Sequence, residues 1–250
     1  MKDNFSARSE KYAKYRPSYP QELFDYILGF VPVRKHAWDC GTGNGQTAAV
    51  LADYFISVFA TDISSQQINN AVKKRNITYA IEPAENSSLE AGAVNLVCIS
   101  QALHWFHLDD FYKEVRRVAA PGAVIAAWTY NLLKIDNFTD AYIYEFYEHT
   151  LKDYWDGERS YVDEGYKNIP FPFESIPSPA FCIKLKWTVE ELEGFLDTWS
   201  AVQKFITENN YNPVPHLMDK IKKRWPANEN RMITFTVQLK LAYINTPSTL

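Results

Sequence analysis

The stretch His36-Ala37-Trp38-Asp39-Cys40-Gly41-Thr42-Gly43-Asn44-Gly45-Gln46-Thr47-Ala48 places three glycines at alternate positions, behind a short apolar run. Residues 36–40 read as a strand, and the glycines break it. Ala48, Ala49, Leu51 and Ala52 then carry helical spacing through residues 46–54. A glycine loop between strand and helix lets backbone approach a ligand closely, and the helix N-terminus points at the same place. Asp62 lies about twenty residues further on, at the end of a second predicted strand over 56–61. An acid at that position accepts hydrogen bonds from ribose hydroxyls.

Working outward, the pattern repeats. Pro20 opens a helix to Leu28, residues 64–75 read as a helix capped by Ser64 or Ser65, and 78–81 as a third strand. Residues 93–100 form a strongly apolar fourth strand. Leu108 to Val118 is helical, and Pro121-Gly122 turns into a fifth strand over 123–128. Apolar strands alternating with helices through short joins predict a parallel sheet covered on both faces. After Tyr130 the chain becomes aromatic, helical over 138–151 and punctuated by Pro170, Pro172, Pro177 and Pro179. That stretch reads as an elaboration over the sheet. Residues 184–188 read as a strand, with helices around 190–205 and 214–225, and 233–243 as a strand returning to the sheet edge.

Composition narrows the function classes. The 250 residues suffice for one large α/β domain, and 46% apolar content supports a core. No apolar run is long enough to span a membrane, and the N-terminus has no apolar leader region, so a cytoplasmic protein is expected. Twenty-six basic against thirty acidic residues give a net charge of −4, which does not favour a nucleic-acid partner. Cys40, Cys98 and Cys182 are far apart in apolar contexts and are expected to be buried thiols. The five histidines show no metal-ligand spacing.

Two details separate the glycine loop from a dinucleotide fingerprint. Gln46 stands where a third glycine would be, and Asp39 precedes the first glycine by two residues. An acid facing the loop suits a cationic group and suits a pyrophosphate poorly. An adenosine carrying an amino-acid ammonium meets both conditions. The lysine of a phosphate-binding P-loop is missing.

DCGTGNG at 39–45, ATDIS at 60–64, PAENSSL at 83–89, CISQALHWF at 98–106 and RRVAAPG at 116–122 together resemble the class I S-adenosylmethionine-dependent methyltransferases. YAKYRPSYP at 12–20 with ALHWF resembles more narrowly the small-molecule group that includes trans-aconitate methyltransferases. The resemblance implies a Rossmann-like α/β fold, a mostly parallel seven-stranded sheet in the order 3-2-1-4-5-7-6 with its last strand antiparallel. It implies that Asp39, Gly41 and Gly43, with Thr42 between them, hold the methionine portion of S-adenosylmethionine. Asp62 would bind the ribose, Ile63 would pack on adenine, Ala84 and Glu85 would line the adenine edge, and Gln101 would face the cofactor. The division expected is an N-terminal cap or lid over 1–30, a cofactor-binding core over 31–130, an insertion over the acceptor site at 131–180 and a C-terminal completion of the sheet at 181–250.

His104 follows a buried strand, where active-site residues gather, and is either a base or substrate-orienting group or a satisfied structural histidine. Pro17 and Pro20 exclude a sheet strand at the N-terminus. A helix ending near Tyr15 would stack Tyr12 and Tyr15 a turn apart over a sulfonium, with Arg16 available to a carboxylate. The expected activity is methyl transfer to a small molecule, a carboxylate among the candidates. His104, Arg16 and Tyr15 would be its catalytic residues, and Tyr12 would contact the cofactor. The rivals are a non-catalytic S-adenosylmethionine-binding protein and a nicotinamide-dependent oxidoreductase.

Overall fold

The computed structural model describes residues 15–244. A single sheet runs β3-β2-β1-β4-β5-β8-β6, with strand β7 also on β8. Its strands are β1 (His36–Cys40), β2 (Ser57–Asp62), β3 (Ile77–Ile81), β4 (Val94–Ser100), β5 (Ala119–Tyr130), β6 (Ser175–Ile176), β7 (Phe181–Trp187) and β8 (Arg231–Tyr243). Strands β1 to β5 are parallel, and β8 runs antiparallel to β5. Both β6 and β7 pair antiparallel with β8 at successive positions, Ile176 opposite Leu241 and Phe181 opposite Val237. They form one interrupted edge, so the expected order 3-2-1-4-5-7-6 holds.

Side-chain alternation divides the interior into two layers. Leu96 and Cys98 of β4 and Val124, Ala126 and Trp128 of β5 face one core, where helices α1 (Gln21–Leu28) and α2 (Gln46–Leu51) pack. Val97, Ile99, Ile125 and Ala127 face the other. There they meet Phe111, Val115 and Val118, from the apolar stripe of the later helix Leu108–Val118. Strands buried on both faces have no polar side, which is why β4 reads as a continuous apolar run. Each large side chain so buried contributes about 1.5–3 kcal/mol.

Four local expectations are corrected. The helix expected over 64–75 is α3 (Ser65–Asn69), capped by the Ser64 side chain, which accepts from Gln67 N. It stops because the following backbone is claimed elsewhere: Val72 N donates to Asn44 O, tying this segment to the glycine loop. Pro121-Gly122 does not precede the fifth strand but lies inside it, at a bulge where the register on β4 shifts between Val94 and Leu96. The C-terminal strand is not at the edge, since β8 is flanked by β5 and by β6 and β7. Cys40 and Cys98 are buried as expected, but Cys182 is exposed because it falls on the outward phase of the alternating strand β7.

The remaining helices are α4 (Leu108–Val118), α5 (Asn137–Glu145), α6 (Arg159–Asp163), α7 (Val189–Asp197), α8 (Ser200–Asn209) and α9 (Val214–Ile221). A π-helical turn over Phe146–Thr150 follows α5. No helix among the described residues is long and apolar enough to cross a membrane.

Candidate active site

The chain leaves β1 for β2 on one side and later places β4 on the other, so a crevice opens at the C-terminal ends of β1 and β4. The glycine loop fills its floor. Gly41 N and Thr42 N both donate to Thr61 O at 2.9 Å, which folds the loop over the end of β2. Gly41 needs to be glycine for two reasons. Its φ is +70°, and a Cβ there would stand 2.6 Å from the Cβ of Ala102.

Asp62 ends β2 with its carboxylate on the cleft wall, accepting from Gly43 N and from Ser64 N, each at 2.9 Å. Gly41, Thr42, Gly43 and Ile63 line the same cleft, whose volume is about 800 Å³, and Gln101 closes it from the β4 side. Gln101 holds a left-handed φ of 55°, with its backbone N donating to Trp128 O. Thr129 Oγ1 donates to its side-chain oxygen at 2.5 Å. A non-glycine residue in this conformation costs of order 1–3 kcal/mol, so these bonds hold the side chain in a fixed place between two cavities.

Beside the cleft is a second cavity of about 510 Å³. Arg16, Gln101 and Trp105 line both spaces. The far wall comes from Trp155, Asp156 and Arg159, with Trp199 and Ser200 closing it from the α7–α8 junction. His104 belongs to this cavity. It is buried, its Nδ1 lies 2.8 Å from the Tyr166 hydroxyl, and its ring lies 4.6 Å from that of Trp105. Burial above all, with help from Arg159, pushes its pKa down to about 3, so the imidazole is neutral at physiological pH.

Several predicted residues stand elsewhere. Asp39 lines neither cavity. It is fully buried behind the loop, where Oδ2 accepts from Thr42 Oγ1 at 2.5 Å and from Ala48 N at 2.9 Å. It clamps the loop to α2, and burial raises its pKa to about 7. Ala84 is buried outside both linings, and Glu85 accepts from His107 N at 2.8 Å, just ahead of α4. Tyr15 lies against α7, close enough that a Cβ on Gly194 would stand 2.5 Å from its ring, and it lines neither cavity. Arg16, by contrast, lines both cavities, and it donates to Tyr130 OH at 3.0 Å and to Thr198 O at 3.3 Å. Tyr12 lies outside the described residues.

The residues that sequence reasoning missed are aromatic or distant. Tyr19 lines the cleft with its ring edge-on to Trp128 at 5.4 Å. Trp155, Arg159 and Trp199 carry no local motif, although the aromatic-rich insertion over 131–180 was a signal for the first two.

The side chains and loop at the cleft suit a nucleoside cofactor. Asp62 is a hydrogen-bond acceptor held on the cleft wall by Gly43 N and Ser64 N, the chemistry that a vicinal diol needs. Gln46 projects onto the same lining where a pyrophosphate would require bare backbone. Switch point, glycine loop and terminal acid together define a Rossmann-like enzyme of the class I S-adenosylmethionine-dependent methyltransferase type.

Comparison with known proteins agrees. A methyltransferase domain family matches residues 38–127. A Dictyostelium discoideum protein named as a methyltransferase is 32% identical over 91% of this chain and 88% of its own length. CRG1 of Saccharomyces cerevisiae, named as an S-adenosylmethionine-dependent methyltransferase, is 25% identical over 84% of each chain. A solved structure from Anaeromyxobacter dehalogenans that carries the name type II methyltransferase superposes with a TM-score of 0.84 at 36% identity, over 92% of this chain and 98% of that one. The chain belongs to the methyltransferase domain family.

Proposed function

We propose that this methyltransferase esterifies a small organic acid, whose carboxylate is seated in the second cavity. The observation that carries the reading is Arg159. Arg159 lines this cavity, and among the described residues its hydrogen bonds are made by Nε, to Tyr147 and Asp163, which leaves its two terminal nitrogens for a ligand. That planar fork matches a carboxylate in bidentate geometry.

S-adenosylmethionine, when bound, supplies an electrophilic methyl carbon. The protein's own work is positioning. Asp62 would hold the ribose and the glycine loop would admit the methionine portion. Arg159 would orient the acceptor carboxylate, while Gln101 and Trp105, shared by both cavities, fix the passage between them. A carboxylate is already ionised at neutral pH and needs no general base, in keeping with a neutral His104 whose Nδ1 is engaged by Tyr166. Alignment and exclusion of water by Trp105, Trp155 and Trp199 then supply the rate enhancement. In this reading residues 131–180 and 181–250 build the acceptor wall over the 31–130 core. Within 1–30, residues 15–19 form the cap, and α1 is core packing. A small acidic acceptor and a net charge of −4 fit a cytoplasmic enzyme with no nucleic-acid partner.

The test is incubation with methyl-labelled S-adenosylmethionine and separate panels of carboxylic acids, amines and phenols. Label should enter carboxylic acids and be released as methanol by alkali, as esters are. Alkali-stable label on an amine or carbon would overturn the carboxylate reading.

A further inference from the structure

Arg159 stands at the start of α6, a helix of only five residues, so the helix alone cannot fix a long side chain. A second element does. The π-helical turn after α5 carries Tyr147, whose ring is buried and whose hydroxyl donates to Asp163 at 2.7 Å from Oδ1 and 2.8 Å from Oδ2. The same hydroxyl accepts from Arg159 Nε at 2.9 Å, and Nε also lies 3.1 Å from Asp163 Oδ1. The guanidinium carbon is 4.9 Å from the centre of the Trp155 ring. Trp155 is fixed in turn, by Nε1 donating to Tyr147 O at 3.2 Å and by its ring 5.6 Å from Trp199. The Nε edge of the guanidinium is thus bonded and one face is covered, and Arg159 is a lining residue of the cavity.

π-Helical turns are rare and recur at functional sites, because the wider turn re-aims a side chain. Burying a tyrosine hydroxyl requires partners, and both partners here belong to the arginine's own clamp. A surface i,i+4 ion pair between Arg159 and Asp163 would need no such third member.

We infer that Tyr147, acting with Asp163, is the positioning residue that aims Arg159 at the acceptor, an inference that rests on the carboxylate reading above. The hydroxyl exchanges one hydrogen bond for another in a line, Arg159 Nε to Tyr147 to Asp163. Holding Nε sets the plane in which the two terminal nitrogens meet the ligand. Specificity for a carboxylate therefore depends on a residue that does not itself line the cavity.

The experiment titrates benzoate into the complex with S-adenosylhomocysteine and follows tryptophan fluorescence, with S-adenosylhomocysteine affinity and Tm measured on every variant. Wild type should bind benzoate saturably. Tyr147→Phe should weaken benzoate about fivefold, the scale of one hydrogen bond. Its affinity for S-adenosylhomocysteine should not change, although loss of the hydroxyl lowers Tm slightly. Arg159→Lys has no Nε–H to hold, so adding Tyr147→Phe to it should produce no further weakening. A merely structural tyrosine would instead weaken benzoate equally in both backgrounds, and that result overturns the inference. So does unchanged benzoate affinity in Tyr147→Phe while Arg159→Met loses it, which leaves the carboxylate reading standing. If wild type and Arg159→Met bind benzoate alike, or wild type binds none, both fall together.

Discussion

Replacing Asp62 with alanine tests the cofactor cleft at its best-defined point. The carboxylate accepts from Gly43 N and Ser64 N at 2.9 Å and lies on the cleft wall at the end of β2. Hydrogen bonds from a ribose to a charged acceptor contribute about 1.5–3 kcal/mol. Their loss should raise the dissociation constant of S-adenosylhomocysteine about 10- to 150-fold, at about 1.4 kcal/mol per decade. The same change frees two backbone amides. Each costs about 1 kcal/mol unless water reaches it, so Tm should fall by several degrees while the fold persists. Asp62→Asn retains one acceptor oxygen and one amide bond, and should fall between wild type and alanine. Calorimetry with S-adenosylhomocysteine, on protein shown to be folded by circular dichroism, measures both variants. Wild-type affinity in both would refute the assignment of this acid to the ribose.

His104 lines the acceptor cavity, so His104→Ala should raise the acceptor's KM while S-adenosylhomocysteine affinity stays near wild type, and full activity with a large loss of Tm would instead make it a core histidine. The buried groups also set opposite pH dependences. His104, with a folded pKa near 3 against 6.5 unfolded, leaves the unfolded state binding more protons in that interval, so its contribution to stability is lost as pH falls below 6.5. Asp39, raised from 3.8 to about 7, makes the folded state the stronger proton binder, so its contribution to stability declines as pH rises from about 4 to about 7. Urea titrations of Asp39→Asn should therefore show the variant gaining on wild type as pH rises, and a pH-independent difference would contradict the raised pKa. Gly41→Ala should cost about 2–4 kcal/mol, from its left-handed φ and the approach to Ala102, and a thermal melt matching wild type would exclude that strain.

The cofactor half of the site was legible because it is local. Strand, glycine loop, helix and acid follow one another within residues 36–62, and the fold places them in that order at one end of the sheet. Asp39 shows the limit of such reading. Its spacing from Gly41 suggested a contact with a cationic group, but spacing does not say which way a carboxylate turns: Thr42 and Ala48 both donate to Oδ2, while Oδ1 is buried without a hydrogen-bond partner among the described residues. The truncation of α3 depends on a bond from Val72 to Asn44, and the interior place of β8 on pairing with a strand about a hundred residues earlier. Neither leaves a mark in a local window. The second cavity was hidden for the same reason, since Arg16, His104, Arg159 and Trp199 meet only through tertiary packing. What could be read was the excess of aromatics after Tyr130, which signalled a wall without saying what it encloses.

The most direct measurement of the whole account is an unbiased one. Wild type and Arg159→Met are each incubated with methyl-labelled S-adenosylmethionine and a pool of extracted small metabolites, and labelled products are identified by mass spectrometry before and after alkali. The account predicts an acidic metabolite carrying one labelled methyl as an alkali-labile ester, formed with matching release of S-adenosylhomocysteine and largely absent with Arg159→Met. Labelled product that survives alkali, or equal product from both proteins, would contradict it.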